Sequence, residues 1–326
     1  MRIPVSIIGG FLGAGKTTLV NHLIHNGNQH GGNQHGNQRG GKRFGVIVNE
    51  FGSLGIDGSL IENLDDGVAE LANGCLCCVA RDDVVEALVK LARQDPAPEH
   101  VLIELSGVAD PVPAAQTLLE PLVRQVFTLE SIIAVADARN LLDTVRNHPE
   151  GGLQLAYASN IVLNKHDIAT PEQIDSAKEV INNVNPLATV HYVSHSQIDP
   201  AKVIGIDTFN DKLTDPSQFE SAHVHTKGMT SFVLEADTPL DQDAFNDFIE
   251  DEIKARPGQV LRCKGWLNVQ GFERAVLFQA VRDIVSVELG DDPPERSQLV
   301  VIGTNLDKDA FAKAFARATA RPAKRR

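Results

Sequence analysis

The chain has 326 residues, more than twice the roughly 150 expected of one domain, and 42% of them are hydrophobic, which excludes both a lone mini-domain and a disordered chain. A net charge of −13 and a pI near 5.3 repel polyanions, so no nucleic-acid partner and no binding to an anionic membrane surface is expected, and any phosphate site must be local. No run reaches the roughly 18 apolar residues of a membrane span, and Ile3–Gly15, which superficially imitates a signal peptide, has no A-x-A cleavage pattern, so a cytoplasmic location is expected.

In chain order, Ile3–Ile8 is a short Val/Ile-rich run of the kind that forms a strand buried on both faces, and Thr18–Ile24 after it is helical. Residues 27–43 interrupt the pattern with repeats of Gly-Asn-Gln-His-Gly type, an insert with no apolar residue to bury and therefore expected to be mobile. Strand-like runs return at Phe44–Val48, Val101–Leu105, Ile132–Ala136, Ile161–Leu163 and Val190–Val193. Between them lie helical segments: Asp82–Gln94, with an expected apolar stripe of Val85, Leu88, Val89 and Ala92, and Pro171–Val184, opened by Thr170 as N-cap and Pro171 at N1. Such alternation predicts an α/β domain over residues 1–208 with a doubly wound, mostly parallel sheet. A polar linker, 209–227, precedes a smaller α+β domain over 228–320, with strands expected at Met229–Leu234, Val260–Cys263, Ala275–Ala280, Ser286–Leu289 and Leu299–Ile302 and helices at Leu240–Ala255 and Lys308–Ala318. Residues 321–326 form a basic tail.

The first strand runs into Gly10-Phe11-Leu12-Gly13-Ala14-Gly15-Lys16-Thr17, a G-x4-G-K-[ST] phosphate loop placed before a helix, as its mechanism requires. Glycines let successive backbone N–H groups face a phosphate and the helix N-terminus adds positive potential. Gly10, Gly13, Ala14, Gly15, Lys16, Thr17 and Thr18 are thus the expected nucleotide contacts, Lys16 neutralising β- and γ-oxygens and Thr17 ligating magnesium. Glu104, ending the Val101–Leu105 run, fits the carboxylate that positions magnesium or water, so Lys16, Thr17 and Glu104 form the expected catalytic set. Asn164-Lys165-His166-Asp167 follows another buried run. Guanine offers N1–H and N2–H2 as paired donors, which the Asp167 carboxylate can accept together, so GTP is favoured over ATP. Ser194-His195-Ser196 is a candidate for the remaining wall of the base pocket.

Of the four cysteines, Cys75, Cys77 and Cys78 crowd one short loop, useless as a disulfide framework but able to hold a tetrahedral metal whose thiolates sit about 3.7 Å apart. With no second cysteine pair, the fourth position must be filled from elsewhere, which suits exchange of the metal. Zinc is preferred and cobalt is an alternative. Cys263 reads as packing. His22, His25, His30 and His35 are concentrated enough for a weak metal-capturing tract, although a solvated loop explains them equally well, and His223 and His225 in the linker favour the plainer reading.

Taken together, the phosphate loop, Val48-Asn49-Glu50-Phe51-Gly52 followed by Gly55-Ile56-Asp57, the Gly74-Cys75-Leu76-Cys77-Cys78 loop, Glu104-Leu105-Ser106-Gly107 and Asn164-Lys165-His166-Asp167 resemble the CobW-type metallochaperone GTPases, relatives of the urease and hydrogenase accessory GTPases. Arg262-Cys263-Lys264-Gly265 and Leu299–Gly303 resemble that family's C-terminal pattern. The resemblance implies GTP hydrolysis coupled to delivery of zinc or cobalt to a client metalloprotein. It makes the three cysteines the metal ligands, Asn49, Glu50 and Asp57 part of a nucleotide-sensing switch, and a nucleotide-dependent homodimer an expectation. Two positions depart from the pattern: Ser53 stands where a glutamate is common, and Cys263 where a small residue is usual. The rival readings are a metal buffer with a vestigial nucleotide site and an ATP-using P-loop kinase.

Overall fold

In the computed structural model, which describes residues 2–27, 42–48, 68–70, 81–205, 229–256, 258–290 and 292–319, strand β1 (Ile3–Gly10) passes through residues 11–15 into helix α1 (Lys16–Gly27). Then follow β2 (Phe44–Val48), β3 (Val68–Glu70), α2 (Arg81–Ala92), β4 (His100–Glu104), α3 (Val112–Leu118), β5 (Phe127–Asp137), α4 (Leu141–Asn147), α5 (Pro149–Tyr157), β6 (Asn160–Asn164), α6 (Pro171–Val184) and β7 (Thr189–Tyr192). The strands pair in the order β3-β2-β4-β1-β5-β6-β7, every pair parallel. Val5, Ile7 and Ile8 of β1 have no exposed surface, as a central strand covered on both faces requires. Parallel pairing puts every strand's carboxyl end on one edge, and β1 sits where the order reverses, with β4 on one side and β5 on the other. A crevice there is the ordinary ligand site of such sheets.

The apolar stripe of α2 and the first helix of the second unit differ from the sequence expectation. In α2 the buried stripe is Val84, Ala87, Leu88 and Leu91, whereas Val89 is exposed. Both stripes satisfy the i, i+3/i+4, i+7 spacing and each holds one alanine, and the one that wins carries two leucines and a valine to the core where its rival offers one leucine and two valines. By contrast α6 starts as expected, with a capping box: Thr170 Oγ1 accepts from Gln173 N at 3.3 Å while Gln173 Oε1 accepts from Thr170 N at 2.9 Å.

The chain divides into two units, Met1–Lys178 with Ala188–Phe209, and Glu179–Leu187 with Asn210–Arg326, so that α6 begins in the first and ends in the second. The second unit contains β8 (Met229–Ala236), α7 (Gln242–Phe248), β9 (Val260–Leu267), β10 (Val276–Val281), β11 (Ile284–Leu289), β12 (Ser297–Thr304) and α8 (Lys308–Arg317). Its antiparallel sheet has the order β11-β10-β9-β12-β8. The single helix expected at Leu240–Ala255 is α7 continued by a π-helical stretch, Ile249–Lys254, and Leu240 instead bridges Val269 and Thr319. Aromatic edges join α7 to the sheet, Phe245 on Phe278, and α7 to α8, Phe248 on Phe315, with centroids 5.4 Å apart in each pair. Cys263 is fully buried in this core and burial pushes its thiol well up, so it packs as a small apolar side chain.

A buried polar chain crosses the parallel sheet: Ser131 Oγ donates to Ser6 Oγ at 2.9 Å, leaving the Ser6 hydroxyl to donate to His100 Nε2 at 3.0 Å. Burial first, and the Lys42 charge second, lower the His100 pKa to about 3. The unfolded chain therefore takes up a proton below pH ~6.5 that the fold refuses, so stability is complete above that pH and falls by about 1.4 kcal/mol per unit beneath it, about 2 kcal/mol by pH 5. Denaturant titrations at pH 7.5 and pH 5 should show this loss, and His100→Gln should remove it; an unchanged pH dependence in the variant would contradict the assignment.

Candidate functional site

Residues 10–18 occupy the crevice at the end of β1. Gly15 has φ +110°, and a Cβ there would collide with the Asn164 side-chain amide and approach Ser196 Oγ to 2.9 Å, so only glycine fits. Gly10 ends β1 with φ +141°, and a Cβ on it would strike the Val135 carbonyl. Lys16 is buried at the start of α1, its Nζ donating to Phe11 O at 3.4 Å across the loop. Thr17 follows it, and its hydroxyl donates to Glu104 Oε1 at 2.7 Å. Glu104 reaches this position because β4 pairs with β1 in a register that sets Glu104 opposite Ile8. A threonine hydroxyl and a carboxylate side by side next to a phosphate loop are hard oxygen donors, the set that suits magnesium.

On the other side of β1 the ends of β5 and β6 supply the second half. Asn164 donates through Nδ2 to Ala14 O and to Ser196 Oγ, both at 2.9 Å, and accepts from Ser196 N at 2.8 Å. Ser196 Oγ donates in turn to Gly15 O at 3.1 Å. Asn164, expected as a nucleotide contact, thus spends both ends of its amide on bracing the phosphate loop and the loop after β7. Lys165, in the left-handed region at φ +62°, sends Nζ to Gly13 O at 2.6 Å and to Asp137 Oδ2 at 2.8 Å. Burial by itself would raise the Asp137 carboxyl, but hydrogen bonds from Arg139 and Lys165 and the Lys165 charge outweigh it and hold the group below the usual carboxylate range. Asp167 projects nearby, partly exposed, with Oδ2 3.6 Å from His195 Nε2.

The structure therefore gathers Gly10, Gly13, Ala14, Gly15, Lys16, Thr17 and Thr18 with Glu104 on one flank and Asn164, Lys165 and Asp167 on the other. Asp137 and Arg139 were not foreseen. Their signal is faint but real: the first acid after the apolar run of β5, at the carboxyl edge of a parallel sheet. His22 is committed elsewhere, its Nε2 lying 2.7 Å from Ile198 O and 3.0 Å from Ile198 N. Asn49, Glu50, Asp57, Cys75, Cys77, Cys78, His30, His35, His223 and His225 lie outside the described residues. Among the described residues no group of three or more metal-capable side chains occurs, and no helix is long and apolar enough to cross a membrane.

Comparison with known proteins bears on the same geometry. Residues 4–192 match the family described as CobW/HypB/UreG, nucleotide-binding domain, and residues 229–319 match the cobalamin synthesis protein cobW C-terminal domain. The chain is 30% identical to the zinc chaperone CobW of Sinorhizobium sp, over 96% of each chain, and 29% identical to the zinc chaperone YjiA of Escherichia coli K12, over 96% of this chain and 98% of the relative. The crystal structure of Zn(II)-bound YjiA GTPase from E. coli superposes with a TM-score of 0.73 at 26% identity, covering 98% of this chain and all of that one. With the phosphate loop, the Thr17–Glu104 pair and the second-unit sheet all in place, the chain belongs to the CobW/HypB/UreG family and carries the CobW C-terminal domain.

Proposed function

We propose that this chain, a GTPase, is a metallochaperone that holds zinc at Cys75, Cys77 and Cys78 and passes it to a client protein, with the bound nucleotide setting its grip on the metal. The observation that carries this reading is the convergence on one sheet edge of a phosphate loop, an oxygen-donor pair at Thr17 and Glu104, and a partly exposed acid at Asp167. The names of its relatives, zinc chaperones matched over nearly their whole length, support the metal half.

The division of labour follows from the contacts. Backbone N–H groups of the loop and the Lys16 ammonium bind the phosphates, and Lys165 props the loop through Gly13 O. Thr17 and Glu104 would hold magnesium, which when bound neutralises charge on the β- and γ-oxygens. The Asn49–Asp57 segment and the cysteine loop both lie in the sequence between β2 and β4, so a segment that a γ-phosphate would order is linked to the thiolates through residues 58–74, which include β3. Linkage then requires that a nucleotide which tightens metal binding is itself tightened by metal to the same degree.

Multiple turnover of GTP separates this reading from a buffer with a vestigial nucleotide site. Cys77→Ala should lower zinc affinity by more than about tenfold while leaving the unfolding midpoint in place; undiminished zinc binding would remove the cysteines from the site.

A further inference from the structure

Beyond Glu104 the chain passes close to the phosphate loop. Leu105 N still donates to Ile8 O at 2.9 Å, after which residues 106–109 make a turn closed by Ala109 N on Ser106 O at 3.1 Å. Gly107 lies against Leu12: a Cβ at 107 would come within 2.8 Å of the Leu12 backbone nitrogen, so this approach requires glycine. The segment is also held by Gln154 of α5, a residue only 3% exposed. Its Nε2 donates to Ala109 O at 3.0 Å and, less strongly, to Gly107 O at 3.4 Å. Two carbonyl acceptors settle which end of the amide faces the segment. Gln154 also lines, with Leu12, Asp137 and Thr144, a cavity of about 240 Å³ beside the phosphate loop.

We infer that Gln154 is a positioning residue for GTP hydrolysis, holding Gly107–Ala109 against Leu12 so that the backbone following Glu104 keeps its place beside the γ-phosphate. The inference rests on the reading of Thr17 and Glu104 as the magnesium end of the site. Nucleotide affinity resides in the phosphate loop and the base contacts, whereas the hydrogen bonds of Gln154 go to Gly107 O and Ala109 O. Its loss should therefore slow the hydrolytic step and spare binding.

The test uses the full chain with GTP. Gln154→Leu and Gln154→Ala should each lower kcat about tenfold, with KM and GDP affinity within about twofold of the parent. Gln154→Glu supplies a readout that a structural role would not move. At pH 8 its carboxylate faces two carbonyls and the deficit should exceed that of Gln154→Leu; at pH 6 partial protonation restores a donor, so its kcat relative to the parent should recover, while the Gln154→Leu deficit stays constant. Unchanged kcat in all three variants overturns the inference. So does a fall in kcat that tracks GDP affinity and unfolding midpoint at both pH values, because that is general damage. Glu104→Gln separates the two levels: if it hydrolyses GTP at the parent rate, the magnesium-end reading falls; if it is impaired while the Gln154 variants are normal, the inference alone falls.

Discussion

Lys16→Ala should reduce GTP affinity about 100-fold and GTP turnover by at least as much again. Lys16 is buried at the first position of α1 with its ammonium drawn across residues 11–15, so a phosphate in the loop meets a charge that solvent screens little. A charged hydrogen bond of this kind contributes about 1.5–3 kcal/mol to binding, and removing a donor aimed at developing negative charge costs about 10²–10³ in rate. Lys16→Met, which keeps the apolar stem, should lose the same functions, showing that the charge and not the packing matters. Calorimetric titration with GTP and measurement of phosphate release check both halves. Turnover within a few-fold of the parent would contradict the assignment of the loop.

Base selectivity gives the second large effect. Asp167→Asn should lower GTP affinity about 100-fold and raise XTP affinity until the preference reverses. The carboxylate can accept from both guanine donors, whereas an asparagine presents one amide donor to one of them, a mismatch that xanthine's 2-oxo group relieves. Asp167 is partly exposed, and His195 stands 3.6 Å away rather than on top of it, so the carboxylate remains accessible to a base. Nucleotide competition with GTP, XTP and ATP reads this directly. Unaltered selectivity would mean that Asp167 does not read the base, and a parent chain that prefers ATP would revive the kinase alternative.

What could be read from the residues alone follows a physical divide. Strands buried on both faces announce themselves as Val/Ile runs, and a phosphate loop has a rigid spacing, so β1, its loop and the acid ending β4 were all legible. The helices α3, α4 and α5 were not: they have 7, 7 and 9 residues, too short for a helical period to emerge, and Gly151-Gly152 lowers the propensity of α5 further. The α2 stripe missed by one position because two registers satisfy the same spacing and only side-chain volume decides between them. At the site, Asp137 was hidden because an acid gains meaning only when folding brings Lys165, 28 positions along, to within 2.8 Å. Asn164 was visible as a residue type but not as a brace, since its partners Ala14 and Ser196 come from two distant loops. Gln154 gave no signal either: a glutamine on a short helix acquires a role only through carbonyls 45 and 47 positions away.

One nucleotide joins the two proposed sites, and a single measurement addresses that join. Cobalt(II) titrated into the full chain, followed by thiolate charge-transfer absorption in competition with a chelator, should give metal affinities that differ by about tenfold or more between a non-hydrolysable GTP analogue and GDP. Superimposable curves with the GTP analogue, with GDP and with no nucleotide would show that the metal and nucleotide sites are uncoupled, and the central claim would fail.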